Sequence, residues 1–266
     1  MGNMSKEHAW PQWLGEGAEV VPTQTTRTVG YGRTGEREMA EAPNLVVIKP
    51  GSVLTARIRE VCAPCNNGWM SALEVSVQPL LKRLWRPEYP LGRTVVSPAE
   101  AQVVAAWAAK TAWVWERVSD QQITATVEMR KQLMDHQQPP EFTQVWIARH
   151  VGKTNFGVYV GRMEVTHQDD QWDAGRRRHV LMCTLPFRGL TVLVRTDDGW
   201  GVPGMRPPSD QWRQFWPVTE VVQWPPLRPA SDDDVQAIAM RYQWLRHPNV
   251  PIFRRDPNGA RTIRRN

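Results

Sequence analysis

The stretch Ser97-Pro98-Ala99-Glu100 constrains this chain more than any other, because it carries every chemical requirement of a helix start in four residues. A serine hydroxyl can accept from an orphan backbone N–H, proline supplies a preset φ at the first helical position, and a glutamate three residues on can reach back to the serine N–H. Val103, Val104, Trp107, Thr111, Val114 and Val118 follow at helical spacing, so a long amphipathic helix is predicted from Ser97. Strand-like text comes next at 143–149, 156–166, 179–185 and 190–195, the last two joined around 186–189 as a hairpin. A further helix opens at Ser231, where Asp232, Asp233 and Asp234 suit the positive end of its dipole and Val235, Ile238, Tyr242 and Leu245 form the buried stripe. Helix, antiparallel strands and helix together predict an α+β domain over residues 91–247.

The first 90 residues are more irregular. Strands are predicted at 45–48 and 54–61 around a turn at Pro50-Gly51, then a helix over 66–85 carrying Trp69, Leu73, Val77 and Leu80 to Leu84, with Pro79 expected to shorten or kink it. The Pro- and Trp-rich stretch 203–229 reads as ordered surface loop, and the fourteen tryptophans read as core and loop anchors in preference to a base-stacking platform. No run of about 18 apolar residues offers a membrane span. The N-terminus lacks the apolar segment of a secretory signal, and three cysteines make no disulfide framework, so a cytoplasmic protein without a membrane partner is expected. The net charge of +6 is concentrated at the end, in Arg246, Arg254, Arg255, Arg261, Arg264 and Arg265 against Asp256. Residues 248–266 therefore read as a basic tail, either a disordered solvated terminus or an arm that neutralises phosphates.

Two local patterns carry chemistry: Lys6-Glu7-His8-Ala9-Trp10-Pro11 and Cys62-Ala63-Pro64-Cys65-Asn66-Asn67-Gly68-Trp69-Met70. In this order and combination they resemble the HNH endonuclease family, over roughly the first third of the chain. The resemblance implies a ββα-metal module in residues 1–90, ahead of the α+β domain. It implies a metal-dependent endonuclease hydrolysing phosphodiester bonds in DNA, with His8 as the general base and Glu7 and Asn66 as oxygen ligands of Mg2+ or Mn2+. Asn44 would orient the loop that bears the histidine. Cys62 and Cys65 would belong to a structural Zn2+ knuckle. Arg254, Arg255, Arg261, Arg264 and Arg265 would contact nucleic acid.

Ordinary uses of the same residues stay open. His8 can be a hydrogen-bonded surface histidine, Glu7 a solvated acid, Asn66 a helix cap and Asn67-Gly68 a turn. Glu7 stands where the family commonly has Asp, and Asn44 lies farther from Asn66 than is usual. No second C-x-x-C stands ahead of His8, so the zinc site is expected to be incomplete and the module to have lost its front to a start assigned too late. A non-catalytic nucleic-acid-binding scaffold is the principal rival. A thiol-disulfide oxidoreductase, suggested by Cys62-Ala63-Pro64-Cys65, is opposed by the polar Thr55, Arg57, Arg59 and Glu60 of the strand before it.

Overall fold

The computed structural model describes residues 4–16, 26–28, 45–47, 53–85, 94–119, 124–165, 178–197, 206–244, 254–255 and 261–262. Its first four strands are β1 (Met4–His8), β2 (Thr26–Thr28), β3 (Leu45–Val47) and β4 (Arg57–Cys62). The two strands expected to flank Pro50-Gly51 are not partners: β3 pairs with β2, and β4 pairs antiparallel with β1. Residues Val53–Thr55, expected to lie largely inside the second strand, form a 3-10 turn. Burial explains the pairing. Trp10 and Leu14, just past β1, are fully buried, and Trp10 meets Trp115, Phe156 and Phe187 edge to face at 5.4–6.4 Å between ring centroids. That anchorage holds β1 in the interior, where β4 satisfies its backbone.

Three helical pieces follow β4 without interruption: α1 (Ala63–Cys65), a π-helical turn (Asn66–Met70) and α2 (Ser71–Trp85). Gly68 departs from helical φ and ψ inside the turn, and Pro79 lies within α2 without ending it. Leu73, Val77, Leu81 and Leu84 recur every three or four residues and are buried in the main apolar cluster. Next come β5 (Thr94–Val96) and α3 (Pro98–Ser119). The capping box forms as its residues require: the Glu100 N–H donates to Ser97 Oγ at 3.3 Å and the Ser97 N–H donates to Glu100 Oε2 at 2.8 Å. Arg83 pairs with Glu100 at 2.8 Å and so ties α2 to the start of α3. From Val104 to Trp115 nearly every position of α3 is buried, alanines interspersed with tryptophans, which makes it the central helix and not a one-sided surface helix. Helix α4 (Val127–His136), for which the sequence raised no expectation, is capped by Thr126, whose hydroxyl accepts from the Met129 N–H at 3.2 Å.

The main sheet is built from β6 (Thr143–Val151), β7 (Tyr159–Val165), β8 (Arg178–Phe187), β9 (Leu190–Asp197) and β10 (Trp212–Trp216), in the spatial order β10-β6-β9-β8-β7. All these neighbours are antiparallel. The β8–β9 hairpin turns through Arg188 and Gly189, both at positive φ. Strand β11 (Val222–Trp224) pairs with β5, and β12 (Ala230–Ser231) adds parallel to the end of β6 before α5 (Asp232–Trp244). The stretch expected to be a surface loop therefore contributes β10 and β11, with Trp212, Phe215, Trp216 and Trp224 buried. Large aromatic rings in irregular text bury more apolar area than loop composition suggests. In the basic end of the chain, β13 (Arg254–Arg255) pairs with β14 (Arg261–Thr262).

Strand alternation sorts the sheet into two apolar faces. Val145, Ile147, Leu181, Cys183, Leu185, Val192 and Val194 face α3, while Trp146, Ala148, Val180, Met182 and Leu193 face Val235 and Ile238 of α5. The fold is thus mixed α and β, with a sheet between two helical layers. Ala9, Trp10, Leu73, Val77 and Leu81 belong to the same apolar cluster as α3 and the inner face of the sheet. No described helix is long and apolar enough to cross a membrane.

Candidate active site

Register places the two chemical motifs at opposite ends of one ribbon. His8 lies opposite Arg57, and Met4 lies opposite Cys62. At about 3.3 Å per residue, the His8 end and the Cys62 end stand on the order of 15 Å apart along the strands. The helical segment that starts after Cys62 brings Glu74 of α2 to the same ammonium that Glu7 meets. Asn66 itself begins the π-helical turn, half-buried.

Adjacent strand residues point to opposite sides, and the environments of Glu7 and His8 differ accordingly. Glu7 is 5% exposed. Its carboxylate lies 3.7 Å from Lys110 Nζ, and the same ammonium, only 3% exposed, donates to Glu74 Oε1 at 2.6 Å. Burial pushes the Glu7 carboxyl above its ordinary value, opposed by the attraction of Lys110 and reinforced by the negative charge of Glu74. Sequence reasoning missed Lys110 and Glu74 because neither is near Glu7 in the chain. The only local signal was a lysine on an otherwise apolar helical stretch.

His8 is half-buried at the end of β1, with Gln12 Nε2 3.0 Å from its Nε2. An amide N–H donated there requires Nε2 to be the unprotonated ring nitrogen. Burial lowers the His8 pKa, the positive charge of Arg57 lowers it further, and the backbone of Leu54 and the charge of Glu74 act the other way. The imidazole is therefore neutral over a wider range than an ordinary histidine, the state a general base needs. Arg57 is exposed and directly across the ribbon, a cation beside the base.

Cys62 ends β4 and caps the turn that follows, its Sγ accepting from the Cys65 N–H at 3.3 Å. Hydrogen bonds from Cys65, through its side chain first and then its backbone, lower the Cys62 pKa. The Cys65 pKa is raised, chiefly by its side-chain hydrogen bond to Cys62 and then by burial. Both thiols are half-buried, whereas Cys183 is fully enclosed in the core and its thiol is pushed far up by burial.

The carboxylates of Glu7 and Glu74 are oxygen donors of the kind a hard cation such as Mg2+ or Mn2+ takes, but they converge on an atom that is already cationic. That atom is the Lys110 ammonium. The sulfur pair supplies two of the four ligands that a structural zinc takes. Among the described residues no three His, Cys, Asp or Glu side chains gather into a group that could hold a metal ion. Asn44, Arg264 and Arg265 lie outside the described residues, and for Arg254, Arg255 and Arg261 only the backbone pairing of β13 and β14 is described. An open groove lined by Arg213, Gln214, Pro217, Val218 and Glu220 lies at the β10–β11 turn and includes none of these residues. No protein-family description, curated protein or solved structure matches the chain.

Proposed function

We propose that this chain is an endonuclease of the HNH type that hydrolyses phosphodiester bonds in DNA, with His8 as the general base. The observation that carries the reading is the setting of His8: a half-buried imidazole whose Nε2 meets Gln12, with the exposed Arg57 directly across the ribbon. The connection β1 to β4 to helix, with His8 on the first strand and Asn66 at the head of the helical segment, supports the same reading. In it, the Gln12 amide gives up His8 Nε2 to the attacking water, from which that nitrogen takes a proton, and Arg57 meets a phosphate oxygen through its guanidinium. A divalent cation would supply charge stabilisation at the phosphate and the departing oxygen, but Glu7, drawn to Lys110, and Asn66, which begins the turn beyond the Cys62 end of the ribbon, do not converge on a place for one. Plasmid nicking with Mg2+ or Mn2+ tests the proposal. His8→Ala should lose about two to four orders of magnitude in rate, and equal rates for the two proteins would refute the role of His8.

One observation favours a second reading, a nucleic-acid-binding scaffold without turnover. The Lys110 ammonium already meets both Glu7 and Glu74, so a cationic group occupies the position between the two carboxylates. Retention of DNA on the wild-type chain with no metal-dependent nicking is the outcome that selects it.

A further inference from the structure

We propose that Cys62 and Cys65 form a reversible dithiol–disulfide pair that exchanges with low-molecular-weight disulfides, a redox site separate from the hydrolytic one. Three observations carry it. The two residues share one turn, close enough for the Cys65 backbone N–H to reach Cys62 Sγ at 3.3 Å. Both are half-buried and free, so a small reagent can reach sulfur, while Cys183 is sealed at 0% exposure and cannot compete. Finally, a disulfide needs only two sulfurs, and two are present; a structural zinc needs four ligands, and among the described residues no third His, Cys, Asp or Glu joins them.

The exchange runs in two displacements. The thiolate of one cysteine attacks a sulfur of the reagent R–S–S–R. The reagent's S–S bond breaks, one RS⁻ leaves and takes up a proton, and a mixed disulfide remains on the protein. The second cysteine then gives up its proton and attacks the protein-side sulfur, expelling the other RS⁻, which is protonated in turn. Two protein thiols are oxidised to one disulfide, and the reagent is reduced to two thiols, with two electrons and two protons transferred. The product links the end of β4 covalently to the turn that leads into α2.

The test is exposure of the purified full chain to oxidised glutathione, followed by thiol counting, intact mass and peptide mapping. Two thiols should disappear per chain with no glutathione retained, a Cys62–Cys65 cross-linked peptide should be found, and a dithiol reductant should restore both thiols. Cys62→Ser and Cys65→Ser should each stop at the first displacement and keep one glutathione. Several results overturn the proposal: wild-type chain that keeps glutathione without the cross-link, thiols that stay unreacted, or one zinc per chain that is released when the two cysteines are modified. Because the readout is sulfur chemistry, it stands or falls independently of DNA cleavage.

Discussion

Replacing Lys110 with methionine isolates the long-range ion pairs that Lys110 makes with Glu7 and Glu74. Methionine keeps most of the apolar stem that packs in α3, while the ammonium between Glu7 and Glu74 is removed. Breaking a buried ion pair by removing one partner costs about 3–5 kcal/mol when the remaining charge has no escape. Here there is one. Glu7 can take up a proton, and from an ordinary value of 4.5 that costs at most about 3.4 kcal/mol at pH 7 and about 0.7 kcal/mol at pH 5, at about 1.36 kcal/mol per unit. Glu74 is more exposed and remains hydrated, so it adds little. The sign follows from linkage. A Glu7 carboxyl raised above its unfolded value leaves the folded chain holding a proton that the unfolded chain has released, so stability falls as pH rises from about 4.5 through the folded value. Urea unfolding followed by tryptophan fluorescence should therefore show Lys110→Met destabilised by about 2–3 kcal/mol at pH 7 and by under about 1 kcal/mol at pH 5. Adding Glu7→Gln should recover most of the loss at pH 7. A loss below about 1 kcal/mol at pH 7, an equal loss at pH 5, or no recovery in the double variant would refute the reasoning.

The acid limb of kcat/KM for DNA nicking should fall below the ordinary histidine value of 6.5, and Arg57→Ala should move it upward by removing a positive charge beside His8; a limb unmoved by that substitution removes Arg57 from the site. Ser97→Ala should destabilise the chain by about 0.5–2 kcal/mol in the same unfolding assay. The Ser97 backbone N–H, above all, holds the Glu100 carboxyl below its ordinary 4.5, with Arg83 assisting, so the contribution of Glu100 is present above that value and disappears as pH falls through the depressed one. Truncation after His247 should weaken DNA binding and flatten its salt dependence by roughly 0.9 in the log–log slope for each duplex phosphate no longer neutralised; an unchanged slope assigns the arginines of the tail to solvent.

Sequence by itself determined those features whose cause lies within a few residues. The capping boxes are the clearest: Ser97 and Glu100 satisfy each other's backbone groups in the structure, and Ser231 and Asp234 do the same, with the Asp234 N–H donating to Ser231 Oγ at 3.2 Å and the Ser231 N–H donating to Asp234 Oδ2 at 2.9 Å. The hairpin through Arg188 and Gly189 was legible for the same reason, since turn chemistry and alternation are local. Tertiary structure alone decided partners. Leu45–Val47 and Arg57–Cys62 each carry strand character, yet which strand each meets depends on Trp10 anchoring β1 in an aromatic cluster drawn from distant parts of the chain. The tryptophans of 212–224 have loop-like neighbours, and only β5 and β6 supply the backbones that make strands of them. At the candidate site, His8 and the cysteine pair were visible as residue types, whereas the Lys110 ammonium between Glu7 and Glu74 was not. A motif is a property of neighbouring residues, but the charge state of a carboxylate is set by whatever the fold packs against it, and here that came from helices far downstream in sequence.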